Sequence, residues 1–390
     1  MVTGSPRNKV HAFRTLLWRR YALFLLSSPI LTCCSANGGS SGAGSDTAGP
    51  FFAYQNPNPG VNVRDTVILP DEGKFYSIGT CPPYWQGANP GVKLFSSDNL
   101  VDWKFETMLI DAAKLPPDSW YKDRFWAPEL HKIKGKYYLT FNCLNESEKY
   151  RHHHACGIAV SDRVKGPYKV MTPDKPLTPW PSNDLTLFED EDGKVYAFFN
   201  NGWTDVHKIY VAEMDMEKLR LKEEPVELFK QERGAWDANG IEGSAVVKHE
   251  GTYYLFYSSW TRGYAVGYAT ARDIRGPYAK SKSNPLFGAW RKGRENICVR
   301  YGKDIQDPLF PFTSLGHNQF FTGPDGRLWT SCHAYLTGSN EASMLIDPVW
   351  FENGEVKTTA PSYTPQEARI TPEMLKKFPG LKSAKKSGLK

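Results

Sequence analysis

The sequence has no long apolar run and few cysteines. No stretch of 18 or more apolar residues occurs in its 390 residues, which argues against a polytopic membrane protein because a spanning helix needs about 20 such residues. Seven cysteines are present, and the five beyond residue 34 are widely spaced. An odd, scattered set of this kind indicates neither a disulfide framework nor a zinc ribbon.

Acidic residues are missing from both ends of the chain. Residues 1–34 hold five basic side chains and no acid, and residues 376–390 hold six lysines and no acid. The net charge of +6 therefore arises at the ends, and the remaining middle carries −5. Binding to duplex nucleic acid needs a basic face on the fold itself, so no nucleic acid partner is predicted.

The N-terminal 34 residues have the pattern of an export signal. Arg19 and Arg20 precede a short apolar run that ends at Cys33 and Cys34, as in an export signal with a short apolar centre. A small residue followed by cysteine at such an end is similar to a bacterial lipoprotein signal. Two outcomes stay open: membrane attachment through a lipidated Cys33 or Cys34, or plain secretion. Both predict an exported protein, which is periplasmic, held at the outer membrane or extracellular.

Composition divides the rest of the chain into three parts. Residues 35–49 are rich in glycine and serine and predict a flexible linker. Residues 371–390 are rich in lysine and predict a solvated tail. The folded domain is therefore expected over residues 50–370.

An internal repeat dominates that domain. Five segments share a glycine, a polar residue and then an aromatic-rich run, and their glycines lie 62, 58, 58 and 75 residues apart: Gly73, Gly135, Gly193, Gly251 and Gly326. Asp192-Gly193 and Asp325-Gly326 are typical hairpin turns. Each glycine is therefore predicted to join two antiparallel strands.

A second repeat follows the first in two of the units. Gly157-Ile-Ala-Val-Ser leads to Gly166-Pro-Tyr, and Gly267-Tyr-Ala-Thr-Ala leads to Gly276-Pro-Tyr. These segments predict a third and a fourth strand in each unit. Four strands repeated at about 60 residues are typical of propeller blades. The predicted fold is all-β, a five-bladed β-propeller with four-stranded blades.

Ionisable residues precede four of the five repeat glycines at nearly the same distance. Asp65, Asp184, Glu242 and His317 lie eight or nine residues before their glycines, and Glu129 lies six residues before the remaining one. Innermost strands of a propeller are expected to be apolar, because a buried charge costs several kcal/mol unless it is paired. A lone residue of this kind would suit a structural role, but a set at corresponding sites predicts a functional site on the axis.

From about Asn56 to Trp350 the chain resembles glycoside hydrolase family 43. The resemblance rests on motifs in the family's order: Val-Arg-Asp-Thr-Val-Ile-Leu at 63–69, Phe-Trp-Ala-Pro-Glu at 125–129, Asn-Asp-Leu at 183–185, Ile-Glu-Gly at 241–243, Gly-His-Asn at 316–318 and Cys-His-Ala at 332–334. It implies a hydrolase that releases α-L-arabinofuranosyl or β-D-xylosyl units, or galactosyl units, from a plant-type polysaccharide or oligosaccharide.

The resemblance also implies roles for individual residues. Asp65 would be the general base, Glu242 the general acid, and Asp184 the neighbour that orients the acid and tunes its pKa. An inverting glycosidase needs such a pair of carboxyl groups roughly 6.5–9.5 Å apart. Trp126, His317 and Arg64 are expected to contact the substrate. No cofactor is required, although in the family a calcium ion can lie near the equivalent of His317.

Other readings remain open at this point. The family often has an arginine in its last blade where this chain has Ser343 and Met344, and Arg300 could substitute for it from elsewhere. The run of histidines at 152–154 suits an exposed loop better than a metal site, because three consecutive side chains cannot converge. A non-catalytic carbohydrate-binding propeller is the main alternative function. A protein-interaction scaffold is a further one, but its repeats are usually roughly 40–50 residues long.

Overall fold

The computed structural model describes residues 50–147, 149, 154–202 and 204–384. The predicted export signal and linker, residues 1–34 and 35–49, lie outside the described residues, as do Cys33 and Cys34. Within the described part, no helix is long and apolar enough to cross a membrane. Strands dominate the described residues and helices are few and short, which confirms the predicted all-β class.

The strands are numbered here in chain order. They are β1 (Phe51–Tyr54), β2 (Arg64–Asp71), β3 (Lys74–Thr80), β4 (Gly91–Ser97), β5 (Trp103–Asp111), β6 (Arg124–Ile133), β7 (Lys136–Leu144), β8 (Ala155–Ser161), β9 (Lys169–Val170), β10 (Asn183–Glu189), β11 (Val195–Asn200), β12 (Lys208–Asp215), β13 (Arg220–Leu221), β14 (Val226–Lys230), β15 (Glu242–His249), β16 (Thr252–Ser259), β17 (Tyr264–Ala271), β18 (Ala279–Lys280), β19 (Phe287–Lys292), β20 (Glu295–Arg300), β21 (Lys303–Gln306), β22 (Phe312–Thr322), β23 (Leu328–Leu336), β24 (Ala342–Glu352), β25 (Glu355–Thr358) and β26 (Gln366–Arg369). The helices are a 3-10 turn at Ala112–Lys114, α1 (Pro372–Lys377) and a 3-10 turn at Pro379–Ser383.

The strands form antiparallel sheets in sequence order. The first sheet is β2–β5, the second β6–β9 and the third β10–β14. A fourth unit, β15–β18, and a fifth, β22–β25, belong to one eleven-stranded sheet because β19 pairs with both β17 and β22. The hairpin of β20 and β21 extends from β19. These extra strands account for the longer spacing between the last two repeat glycines.

The five repeat glycines occupy the turns predicted for them. Each lies between the first and second strand of its unit, and their φ angles fall between 69° and 80°. Glycine adopts this left-handed region without the steric clash that a side chain brings. The predicted hairpins are therefore confirmed in position and in cause.

The first strands of the five units contact one another in order. β2 contacts β6, β6 contacts β10, β10 contacts β15, β15 contacts β22, and β22 contacts β2. Apolar clusters fill the spaces between neighbouring units, and one of them joins Ile68 and Phe75 of the first unit to Phe321 and Trp329 of the fifth. The second strands are almost entirely buried because both faces of each sheet are covered. The first strands therefore surround a common centre.

The boundary predicted for the C-terminal tail is wrong. Residues 371–390 were expected to be solvated, but α1 and the following 3-10 turn pack on the first unit. Met374, Phe378 and Leu381 are buried, and the Phe378 ring stacks on Phe75 at 4.5 Å between centroids. The lysines here alternate with apolar side chains, so one face of the segment joins the core while the charged face meets solvent.

Candidate active site

The first strand of every unit carries a β-bulge at the same place. The register against the second strand shifts between Arg64 and Val67, Trp126 and Glu129, Asn183 and Thr186, Glu242 and Ala245, and Gly316 and Gln319. The residue after the start of each shift has a positive φ: Asp65 at 55°, Ala127 at 38°, Asp184 at 54°, Gly243 at 64° and His317 at 54°. Bulges redirect side chains, and such φ values in non-glycine residues concentrate at functional sites.

Hydrogen bonds between neighbouring units hold these left-handed residues. The Asp65 main-chain N–H donates to His333 Nδ1 at 3.0 Å, and the His317 N–H donates to Ser258 Oγ at 2.8 Å. The Gly243 N–H donates instead to Oδ2 of Asp184 itself, at 3.0 Å. These hydrogen bonds form only when the units pack together, and they stabilise the strained backbone conformation.

Glu242 does not occupy the position that counting from the glycines suggested. It lies one residue before Gly243, in register with Arg64 and Trp126 rather than with Asp65. Glu129 lies two residues beyond Ala127, and its Oε1 accepts a hydrogen bond from Gln319 Nε2 at 2.6 Å. Counting from the glycines was misleading because the turns differ in length: five residues separate the paired strand ends in the third and fifth units, and two in the others.

Asp65 lies in a buried, positively charged setting. Thr80 Oγ1 donates to its Oδ2 at 2.5 Å, and His317 Nδ1 lies 3.3 Å from its Oδ1. Burial alone would raise the pKa of this carboxyl, but the charges of His317 and Arg64 outweigh burial and hold the pKa well below its usual range. Asp65 is therefore an ionised carboxylate at neutral pH.

Asp184 and Glu242 form a close carboxyl pair beside His317. Single side-chain ligand atoms of these three residues lie within 4.8 Å of one another. Burial raises the pKa of Asp184 to about 8, and the negative charges of Glu242 and Asp65 act in the same direction. Asp184 therefore retains its proton at neutral pH, directly beside the carboxyl group of Glu242.

Two further contacts position this pair. Tyr264 donates its phenolic O–H to Glu242 Oε1 at 2.5 Å and lies 3.4 Å from His317 Nδ1. Burial raises the pKa of Tyr264 well above its ordinary value, so the phenol stays a donor. Gly243 packs on the His317 ring, and a Cβ there would meet ring atoms at 3.1–3.2 Å. Burial lowers the pKa of His317, but the neighbouring carboxylates outweigh it and raise the pKa.

One cavity of about 160 Å³ brings all six predicted site residues together. It is lined by Arg64, Asp65, Trp126, Asp184, Glu242 and His317, and also by Trp85, Arg124, Asn142, His154 and Asn183. Arg300 does not line it, because its Nη2 donates to the Pro361 carbonyl at 2.7 Å. The guanidinium groups at this cavity belong to Arg64 and Arg124.

Sequence reasoning missed several of these residues. His154 was predicted to lie in an exposed loop, but it is 1% exposed and lines the cavity; His152 and His153 lie outside the described residues. Burial lowers the pKa of His154 to about 4, so its ring is neutral. Its position directly before β8 was the available signal. Tyr264 had no signal, since nothing in its surroundings in the sequence distinguishes it from a core tyrosine.

The residues near His317 suit calcium poorly. Calcium takes six to eight oxygen ligands, whereas the cluster offers two carboxyl groups and one imidazole. Asp184, one of those two groups, retains a proton at neutral pH, and a cation bound there would displace it. The calcium that the resemblance implies thus stays a prediction.

One family model and two curated relatives match most of this chain. The model of the family described as glycosyl hydrolases family 43 matches residues 54–355. An extracellular endo-α-(1→5)-L-arabinanase of Thermotoga petrophila is 26% identical over 73% of this chain and 67% of its own length. A second such arabinanase, from Bacillus subtilis, is 26% identical over 72% of this chain and 66% of its own. The chain thus spans about two thirds of these relatives.

Solved structures agree with the sequence match. A thermostable family-43 glycoside hydrolase is 28% identical, with a TM-score of 0.67 over 82% of this chain and 99% of the other. An endo-1,4-β-xylanase of Bacteroides thetaiotaomicron is 27% identical, with a TM-score of 0.62 over 78% of this chain and 96% of the other. The family match over residues 54–355 contains Asp65, Asp184, Glu242 and His317.

Proposed function

The chain belongs to glycosyl hydrolase family 43 and is a glycosidase, and on that premise we propose that it is an exo-acting, inverting hydrolase of α-L-arabinofuranosyl or β-D-xylosyl units. A galactosyl unit is the further candidate. The substrate is a plant-type polysaccharide or an oligosaccharide derived from it. Similar proteins are named for arabinan and for xylose-containing substrates, which supports this pair of sugars without choosing between them.

The different protonation states of Asp65 and Asp184, on either side of the site, carry this proposal. Asp65, held ionised by His317 and Arg64, is the general base that takes a proton from water. Glu242, which lies beside the protonated Asp184, is the general acid that protonates the oxygen of the leaving sugar. Two carboxyl groups whose surroundings separate their protonation states are the requirement for acid–base catalysis of this kind.

The separation of these carboxyl groups has an upper limit. Contacts of 3.3, 3.4 and 2.5 Å lead from Asp65 Oδ1 through His317 and Tyr264 to Glu242 Oε1, so the two oxygens lie at most about 9 Å apart. A separation between about 6.5 and 9.5 Å leaves room for a water molecule, and one near 5 Å would favour a covalent intermediate. We propose that the separation is the longer one, which leaves room for a water molecule.

The stereochemistry of the product tests inversion. Proton NMR of a reaction at high enzyme concentration detects the anomer that forms before mutarotation. Inversion predicts that the first anomer has the configuration opposite to that of the substrate. Retention of configuration would contradict the role of Asp65 as a base and would instead make it a nucleophile.

Activity of a Glu242→Gln variant tests the assignment of the acid. Aryl arabinofuranosides, xylosides and galactosides identify the sugar, and an unactivated oligosaccharide of that sugar then measures dependence on the acid. We expect at least about a hundredfold loss of kcat on the oligosaccharide, as for other general acids, and a smaller loss on aryl glycosides, whose leaving groups need less protonation.

Glu129→Gln is the matched control, since Glu129 is a buried glutamate of another first strand, β6, and does not line the cavity. Equal rates for wild type and Glu242→Gln on the oligosaccharide would remove Glu242 from the mechanism. Sugar binding without hydrolysis of any substrate would favour the non-catalytic carbohydrate-binding alternative.

The proposal extends to the architecture and the location of the protein. Five units whose first strands contact one another in a closed order support a five-bladed propeller. The extracellular relatives support export, and attachment through Cys33 or Cys34 remains part of the proposal. Loops at the mouth of the cavity set specificity in such folds.

A further inference from the structure

A second cavity adjoins the catalytic one. It measures about 770 Å³ and shares Arg64, Trp85, Asn183 and Glu242 with the first. Asp65, Asp184 and His317 line only the first cavity. Glu242 therefore stands at the border between the two spaces, with the base on one side of it.

The second cavity lies over the fifth unit. Ser314, Tyr335 and Asn340 from β22, β23 and the turn after β23 contribute to it. The loop after β3, with Trp85, lines it from the first unit, and the turn between β16 and β17, with Trp260, lines it from the fourth. Because the first and fourth units flank the fifth, the two indoles belong to separate walls of one cleft.

Trp260 is held in place while part of its ring stays open. It lies against Gly240, where a Cβ would come within 2.2 Å of the indole, and the His207 ring meets it edge-on at 5.0 Å. Trp260 is nevertheless 37% exposed. A fixed, partly open indole loses little conformational entropy when it binds an apolar ring face.

We infer that the second cavity binds the leaving-group part of a glycan chain, and that Trp260 is the platform for a sugar ring next to the cleaved bond. This inference rests on the proposed function. A general acid protonates the oxygen that departs with the leaving group, so the space beyond Glu242, away from Asp65, receives that group. The size of the cleft suits a chain of sugars and exceeds what a small alcohol requires.

Comparison of two leaving groups tests the inference. A glycosyl fluoride places only fluoride beyond Glu242, whereas an oligosaccharide of the same sugar places rings there. For Trp260→Ala, we expect kcat/KM to fall about tenfold more on the oligosaccharide than on the fluoride. Trp260→Phe keeps a ring and should recover most of the difference.

Trp180→Ala is the matched control. Trp180 is 39% exposed, close to the value for Trp260, and lines neither cavity. Its substitution should leave the ratio between the two substrates unchanged. Equal losses on both substrates for Trp260→Ala, or no loss on either, would overturn the leaving-group assignment. Hydrolysis of the fluoride by wild type would meanwhile uphold the glycosidase itself, so the two hypotheses fail separately.

Discussion

At the scale of single residues, the site depends on three side chains in an unusual backbone conformation. Asp65, Asp184 and His317 have φ angles of 54–55°, in the left-handed region. Aspartate and histidine adopt this region more often than bulkier residues do, but each such residue still costs of order 1–3 kcal/mol. Inter-unit hydrogen bonds to Asp65 and His317 offset that cost, so the catalytic geometry depends on the assembled fold.

The carboxyl group of Asp184 sets the alkaline side of the pH dependence of activity. The pKa of Asp184 is raised to about 8 by burial and by Glu242, so Asp184 keeps its proton below that pH and loses it above. We expect kcat/KM to decline as the pH rises through about 8, because the proton held beside Glu242 is then lost and none remains there to reach the leaving group. The pH profile of kcat/KM on an unactivated oligosaccharide measures this.

An Asp184→Asn variant separates this cause from general damage. Removing this carboxyl group removes the group that holds the proton, so the alkaline decline should move from about pH 8 to lower pH as the rate falls. Asp190→Asn is the control, because Asp190 directly follows β10, the strand of Asp184, but contacts Lys248 and Tyr253 outside the cavity. An alkaline limb that stays in place in Asp184→Asn would disprove the coupling.

At the scale of elements, the C-terminal segment belongs to the domain and is not a free tail. Phe378 is 6% exposed and stacks on Phe75 of β3. Replacing a buried phenylalanine by alanine costs about 3–5 kcal/mol in a core. Phe378→Ala should therefore lower the free energy of unfolding by roughly 3 kcal/mol. Denaturant unfolding measures the change.

Leu309→Ala is the control for this variant, since Leu309 is 79% exposed and should change stability little. If Phe378→Ala unfolded at the same denaturant concentration as wild type, α1 would not contribute to the core. Such a result would restore the solvated tail that the lysine content suggested.

At the scale of the whole molecule, the parts that local chemistry dictates were predictable from sequence. Asp-Gly turns and aromatic runs located the hairpins, and the repeat placed Asp65, Asp184, Glu242 and His317 near one another. The longer interval before Gly326 contains the extra strands β19–β21, which the repeat did not predict.

The remaining features depend on contacts between units far apart in the chain. Tyr264 meets Glu242 only after the fourth unit folds, and His154 reaches the cavity only because the second unit packs beside the third. The offset of Glu242 by one position follows from unequal turns between the first and second strands, which spacing from the glycines alone does not reveal. The conformations of the loops at the mouth of the cavity, and with them the choice of sugar, also depend on contacts between units.

The pairing of β1 with β26 has a consequence for protein engineering. Phe51 lies opposite Arg369 and Tyr54 opposite Gln366, so the first and last strands of the domain are neighbours. A short peptide could join the segments beyond these strands, and new ends could be opened at an exposed turn such as Gly354 with every strand pair retained. The N- and C-termini of such a circular permutant would lie at a new place on the surface. The catalytic cavity would then have a different orientation relative to a fused partner domain or a solid support.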